Sequence, residues 1–224
     1  MILNGRVIKP GEKLLQNTMY IVRESREVQY VEEETNDIVE ILYCLEKGQY
    51  GAFGHEFMPG FVNKKGYKKA DLLILVVDEN KKKFASWVLD VKKSVGGEDV
   101  IFKLIQQLID SRKHKNSIAA YFENYEEQEH LGFITRDFQK ERVKNAIQKK
   151  KDDVLKESQI VDKIKGTNAF KIRGEILKTK REVEVLEKFL AGRIVCGKEM
   201  VPIIYYPSEQ IEECAMCKLE VEIV

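Results

Sequence analysis

Three side chains pose the chemical question. Asp71 opens the continuous apolar run DLLILVVD, residues 71–78, and Asp90 and Lys92 stand near the end of a second run, FASWVLDVKKS, residues 84–94. Side chains alternate along a strand, so Phe84, Ser86, Val88, Asp90 and Lys92 share one face, and Ala85, Trp87, Leu89 and Val91 the other. A carboxylate and an ammonium thus lie side by side where an otherwise apolar strand turns polar. If the two strands are hairpin partners across the polar connection 79–83, Asp71 comes close to Asp90. Two carboxylates brought together repel each other at neutral pH, and a divalent cation between them removes that penalty. Mg²⁺ prefers oxygen ligands and keeps several waters, one of which can become a nucleophile. A lysine beside it can orient or help deprotonate that water and stabilise charge developing on a phosphorane. The chemistry expected of these residues is metal-assisted hydrolysis of a phosphodiester.

The elements that must hold them are legible in outline. GRVIKPG and QNTMYIVRE read as short N-terminal strands, with Pro10-Gly11 as a turn between them. Glu32-Glu33-Glu34 is a polar break. The segment DIVEILYCLEKG, residues 37–48, has Ile38, Ile41, Leu42 and Leu45 at helical spacing behind an Asn36-Asp37 cap and is expected to be a helix. The run 71–78 has the composition of a strand buried on both faces. After Gly96-Gly97, EDVIFKLIQQLIDSRK is an amphipathic helix that buries Ile101, Leu104, Ile105, Leu108 and Ile109. SIAAYFE and HLGFITR are strand candidates, and residues 138–159 form a highly charged helix. KGTNAFKIRGE is expected to be a loop and REVEVLEKFLAG a helix. VPIIYYP and CKLEVEIV are late strands. The fold class is α/β, a mixed central sheet flanked by helices, with a helical, charged C-terminal extension.

The 224 residues carry a formal net charge of +1, with 43% hydrophobic and 33% charged residues, which fits a globular chain and not a disordered one. No apolar run approaches the ~18 residues that span a bilayer, and MILNGRVIKPGEK lacks the pattern of a secretory signal. An intracellular protein without membrane contact is expected. Cys44, Cys196, Cys214 and Cys217 are too few and too scattered for a disulfide framework. Cys214-Ala-Met-Cys217 has the spacing of half a zinc site, to which Cys196 could add a third ligand, but no matching second pair exists. Near-neutrality hides a pattern. Residues 1–60 carry six basic and ten acidic side chains, residues 139–181 fourteen basic and six acidic, and residues 206–224 one basic and five acidic. The basic segment is the electrostatic footprint of a polyanion binder. Lys149, Lys150 and Lys151 lie in it as candidates to hold a phosphate backbone.

Asp71, then Asp90-Val91-Lys92, followed by an amphipathic helix, resembles the PD-(D/E)XK nuclease superfamily. The resemblance covers roughly residues 36–125, with Ala70 where a proline often precedes the first aspartate. It implies a restriction-endonuclease-like core, taken as 36–138; the flanks are unassigned by it and are read from their own residues as N-terminal strands over 1–35 and, over 139–224, a basic helical extension ending in short strands. It implies that Asp71 and Asp90 bind Mg²⁺ or Mn²⁺ and that Lys92 is the catalytic lysine. Members often add an acid or a histidine upstream. Glu56 is the favoured extra acid, with His55 beside it as a metal ligand, while Glu40 and Glu46 are alternatives on the expected first helix. Gln106 and Gln107 match a helix glutamine that contacts substrate or the lysine, and Gln107 is the candidate for substrate binding. The tyrosine expected four residues on is absent.

The resulting expectation is a divalent-metal-dependent nuclease, with DNA favoured over RNA as substrate, and restriction or phage (antiviral) defence as one setting for it. Two readings compete: an RNA endonuclease, or a catalytically silent nuclease-like subunit that binds nucleic acid or a partner. No GxxxxGK[ST], HExxH or GxSxG motif occurs, so ATP hydrolysis would fall to a separate motor subunit. Cutting both strands would favour a homodimer.

Overall fold

A computed structural model describes residues 2–3, 6–7, 15, 19–55, 69–161, 167–211 and 214–223 of the chain. It is a mixed α/β protein. Two short strands, β1 (Ile2–Leu3) and β2 (Arg6–Val7), pair antiparallel. Next come β3 (Tyr20–Val22), β4 (Arg26–Val31), β5 (Ile38–Tyr43) and β6 (Gln49–His55). After them lie β7 (Leu72–Asp78), β8 (Lys83–Val95), α1 (Glu98–Ala119), a 3₁₀ turn (Ala120–Phe122) and β9 (Glu126–Phe138). Two long helices follow, α2 (Lys140–Val161) and α3 (Thr167–Leu190), and then the strands β10 (Arg193–Cys196), β11 (Glu199–Pro202), β12 (Ile204–Pro207), β13 (Glu209–Ile211) and β14 (Cys214–Val221). The chain divides into two units. One is built from Met1–Lys93, Leu104–Arg136 and Ile204–Val224, the other from Ser94–Lys103 and Asp137–Ile203. The last strands therefore return to the first unit.

In the first unit, a six-stranded sheet has the order β12-β9-β8-β7-β6-β3, and a four-stranded sheet the order β13-β14-β5-β4. Strands β6, β7 and β8 form an antiparallel meander. Strand β9 runs in the same direction as β8, because the N–H of Glu126 donates to the carbonyl of Lys82 at the strand starts and the N–H of Gln139 to that of Val95 at their ends. A parallel neighbour requires a crossover connection, which α1 supplies. One core joins the two sheets. It contains Leu72, Ile74, Val76, Ala85, Trp87, Leu89 and Val91 from the first, with Val39, Ile41, Tyr43, Cys217, Leu219 and Val221 from the second. The alternate residues of β7 and β8 face the other way, where Phe84 meets Phe122 at 5.6 Å between ring centres. All seven residues of β7 are buried, as the apolar run requires.

Three expectations fail. Residues 38–43 form a strand and no helix. Their apolar positions fit either period, and pairing with β4 on one side and β14 on the other selects the strand that buries Val39, Ile41 and Tyr43. So one face of the six-stranded sheet packs on a second sheet in place of a helix, which also takes Glu40 off any helix. SIAAYFE continues α1 and the 3₁₀ turn instead of forming a strand. Most of KGTNAFKIRGE belongs to α3, which begins at Thr167. The Pro10-Gly11 turn lies outside the described residues.

In the second unit, α2 and α3 share a small apolar seam of Val161, Ala169 and Ile176, with Val154 and Ile172 packed against it. Ion pairs reinforce it, from Lys150 to Glu98 at 2.9 Å and Glu182 at 2.7 Å, and from Lys151 to Glu187 at 2.7 Å. No described helix is long and apolar enough to cross a membrane.

Candidate active site

The hairpin register brings the three residues together. Leu72 pairs with Leu89 and Leu73 with Val88, so one further step sets Asp71 opposite Asp90. Residues directly opposite in a ladder share a face, here the face that also carries Leu73, Val88 and Ser86. The carboxylate of Asp71 accepts a 2.6 Å hydrogen bond from the Val91 N–H, which ties the start of β7 to β8. The Lys92 ammonium lies 2.6 Å from Oδ2 of Asp90 and 3.8 Å from Oδ2 of Asp71, and donates to the Val91 carbonyl at 3.1 Å.

Burial sets the electrostatics. Asp90 is 0% exposed, and among the described residues no donor makes a hydrogen bond to its Oδ1. Oδ2 meets the Lys92 ammonium as an ion pair, so Oδ1 is the oxygen left without a partner among the described residues. Burial first, and the charge of Asp71 second, hold the Asp90 carboxyl well above the ordinary carboxylate range, against the pull of Lys92. Asp71 is also raised, by burial above all, with Lys92 and the Val91 N–H opposing. Burial would lower Lys92, but the charges of Asp90 and Asp71 outweigh it and its pKa is raised, so the ammonium persists at neutral pH.

Glu32 is a residue that sequence reasoning missed. Its negative charge contributes to the upward shifts of both Asp71 and Lys92. It is 6% exposed, and its Oε2 accepts a 2.5 Å hydrogen bond from the Tyr30 hydroxyl. In the sequence it stands in an acidic triplet that reads as a solvated break, yet only Glu32 of the three is buried. The signal was the alternation of β4, which puts Val28, Tyr30 and position 32 on one face.

The other candidates are placed as follows. The His55 backbone ends β6 opposite Leu72, one residue from Asp71, while Glu56 lies outside the described residues. Glu40 sits on β5 and pairs with Lys218 at 3.0 Å, and Glu46 follows β5 and pairs with Lys81 at 3.2 Å. Gln107 on α1 donates from Nε2 to the Lys69 carbonyl at 2.8 Å, and its Oε1 is buried without a hydrogen-bond partner among the described residues. Next to it the Ala70 N–H donates to Ser111 Oγ at 2.7 Å, so α1 clamps the two residues before Asp71. Gln106 instead donates to Asp110 at 2.9 Å. Lys149 is exposed on α2, Lys150 is held between Glu98 and Glu182, and Lys151 is paired with Glu187. Cys214 and Cys217 lie three apart on one strand, so their side chains point to opposite faces and cannot chelate one ion.

Among the described residues no group of three or more His, Cys, Asp or Glu side chains is arranged to hold a metal ion. The pair Asp71 and Asp90 nevertheless suits a divalent cation. A buried carboxylate oxygen with no donor is costly unless it is protonated or meets a cation, and Mg²⁺ is commonly bound by one or two carboxylates plus waters and substrate phosphate. No protein-family model matches the chain, and neither a curated protein nor a solved structure does.

Proposed function

We propose that this chain is a divalent-metal-dependent nuclease with a restriction-endonuclease-like core, acting on DNA in preference to RNA. The observation that carries the reading is Asp71 set opposite Asp90, with Lys92 2.6 Å from Asp90 and the buried Asp90 Oδ1 without a hydrogen-bond partner among the described residues. Support for the core comes from the antiparallel meander of β6, β7 and β8, the crossover helix α1, and β9 beside β8 in the same direction.

Asp71 and Asp90 would hold Mg²⁺ or Mn²⁺, which when bound offsets their repulsion, activates a water and stabilises charge on phosphorus. Lys92 stays protonated and acts as a donor and a positive charge toward a phosphate oxygen, more than as a base. The Val91 N–H fixes the Asp71 carboxylate, and Gln107 and Ser111 fix the backbone before it. Glu32, anchored by Tyr30, adds a smaller contribution to that of Asp90 and Asp71 in favour of the Lys92 ammonium.

The test is cleavage by wild type and Asp90→Ala of single- and double-stranded DNA and RNA, in Mg²⁺, Mn²⁺ or EDTA. Cleavage that is lost in EDTA and in the variant supports the reading, and the preferred polymer names the substrate. A wild type that cuts nothing while both proteins bind DNA equally removes it. The Lys92–Asp90 pair is then structural, and the chain a binding subunit.

A further inference from the structure

The second unit carries a groove unrelated to the Asp71–Asp90 pair. It has a volume of about 380 Å³ and is lined by Phe102 from the second turn of α1 and by Gly174, Leu177, Lys178, Arg181, Glu182 and Val185 from α3, the Glu182 carboxylate being taken up by Lys150 at 2.7 Å. The α3 positions recur at three- and four-residue intervals, which puts them on one helix face. That face lies away from Ala169 and Ile176, which pack toward α2. Phe170, one turn before Gly174, extends the same stripe.

Three features of this face stand out. Two of its apolar residues are uncovered, Phe170 beside the groove being 74% and Leu177 within it 58% exposed, while Phe102 and Val185 are half-buried. Exposed apolar side chains that adjoin in one stripe with a polar rim are the pattern of an interaction surface. Gly174 leaves the floor open, since a Cβ there would meet nothing within 4 Å. The surrounding cations are also uncommitted. Arg181, Lys171 and Arg173 form no ion pair or hydrogen bond among the described residues, and Lys178 only reaches Glu182 at 3.8 Å. Elsewhere on these helices the lysines are largely neutralised, as Lys150 and Lys151 are. Two aromatic rings and an exposed leucine, interleaved with cations of which only Lys178 has an acidic partner among the described residues, match a ligand that alternates stackable rings with negative charge.

We propose that this groove binds a segment of single-stranded nucleic acid, with bases stacked against Phe170, Leu177 and Phe102 and phosphates paired with Arg181 and Lys178. The choice of nucleic acid over another anionic partner rests on the nuclease reading. The charge complementarity and the open apolar floor stand without it. Base stacking on exposed aromatic side chains beside a basic track is the general mode of sequence-tolerant single-strand binding.

The experiment measures fluorescence anisotropy of a labelled oligodeoxythymidylate of about 16 nucleotides, with the full chain in EDTA so that nothing is cut. Phe170→Ala should weaken binding about tenfold. Lys178→Glu with Arg181→Glu should weaken it further and flatten the slope of log affinity against log salt by about 1.4. Gly174→Leu fills the floor and should also block binding, with far-ultraviolet circular dichroism showing no loss of helix, because a Cβ there has open space and leucine favours a helix over glycine. Affinity equal to wild type in all three variants overturns the proposal. So does a wild type that ignores the oligonucleotide and instead binds phosphatidylserine vesicles or nothing. Cleavage is read separately. Groove variants that bind normally while wild type cuts DNA remove the groove alone. A wild type that binds through the groove but cuts nothing in Mg²⁺ or Mn²⁺ removes the nuclease reading alone.

Discussion

Replacing Lys92 with methionine tests whether its ammonium is what permits two buried carboxylates to face each other. The substitution keeps an apolar stem of similar reach and deletes the charge. Coulomb's law with an effective dielectric of ~20 gives an attraction of roughly 6 kcal/mol at the 2.6 Å contact to Asp90 and roughly 4 kcal/mol at the 3.8 Å contact to Asp71. Desolvation cancels much of this, and removing one partner of a buried pair typically costs ~3–5 kcal/mol. Lys92 is 19% exposed in its side chain, so the lower end, about 3 kcal/mol, is expected at pH 8. The pH dependence has a definite sign. The carboxyl of Asp90 already has a raised folded pKa, so its favourable contribution is full below the unfolded value and lost as pH rises through the folded one. Deleting Lys92 removes an influence that lowers that pKa, so the window of loss extends to higher pH. The variant should stand closer to wild type in stability at pH 5 than at pH 8, because the Asp90 carboxyl, already raised by burial and by Asp71, is raised further once Lys92 is gone. Urea unfolding in EDTA, followed by the fluorescence of Trp87, the single tryptophan, reads the first unit directly, because Trp87 lies on β8 stacked 4.8 Å from His130. Addition of Mg²⁺ at a hundredfold excess over its dissociation constant should restore about 2.7 kcal/mol at pH 8. An equal loss at both pH values, or none at either, refutes the account of the Lys92–Asp90 pair.

Three further outcomes are expected. Glu32→Gln removes a charge that raises Asp71 and Lys92. The acid limb of the cleavage rate against pH should then move to lower pH, because Asp71 ionises more readily, and an unmoved profile would separate Glu32 from the site. Gly132→Ala should destabilise the first unit by about 1–3 kcal/mol in the same urea assay, since its Cβ would sit 2.4 Å from the Ile204 carbonyl oxygen where β9 pairs with β12. Tyr43→Phe deletes the 3.0 Å hydrogen bond from the buried Tyr43 hydroxyl to the Ala52 carbonyl and should cost about 1 kcal/mol.

Some of this protein was readable without its fold. The strands at 71–78 and 84–94, their polar connection and the helix after Gly97 follow from local composition and period. The alternation of the second strand already put Asp90 and Lys92 on one face, and hairpin pairing then set Asp71 across from Asp90. Period by itself could not decide residues 38–43, because Ile38, Ile41 and Leu42 suit a helix as well as Val39, Ile41 and Tyr43 suit a strand. The choice was made by partners remote in the chain, with β14 supplying Met216 to Val221 along one edge of β5. Glu32 stayed hidden for a related reason. Burial of one acid in a run of three depends on a second sheet and on the Tyr30 hydroxyl that satisfies it, and local composition carries neither. The pairing of Lys150 with Glu98 and Glu182 likewise required two helices to meet. Local pattern set the residue types and the faces of individual strands, because those depend on neighbours two to four positions away. Tertiary structure decided which charges are buried, which are paired and which stay free, because desolvation and ion pairing depend on groups that only the packed chain brings together.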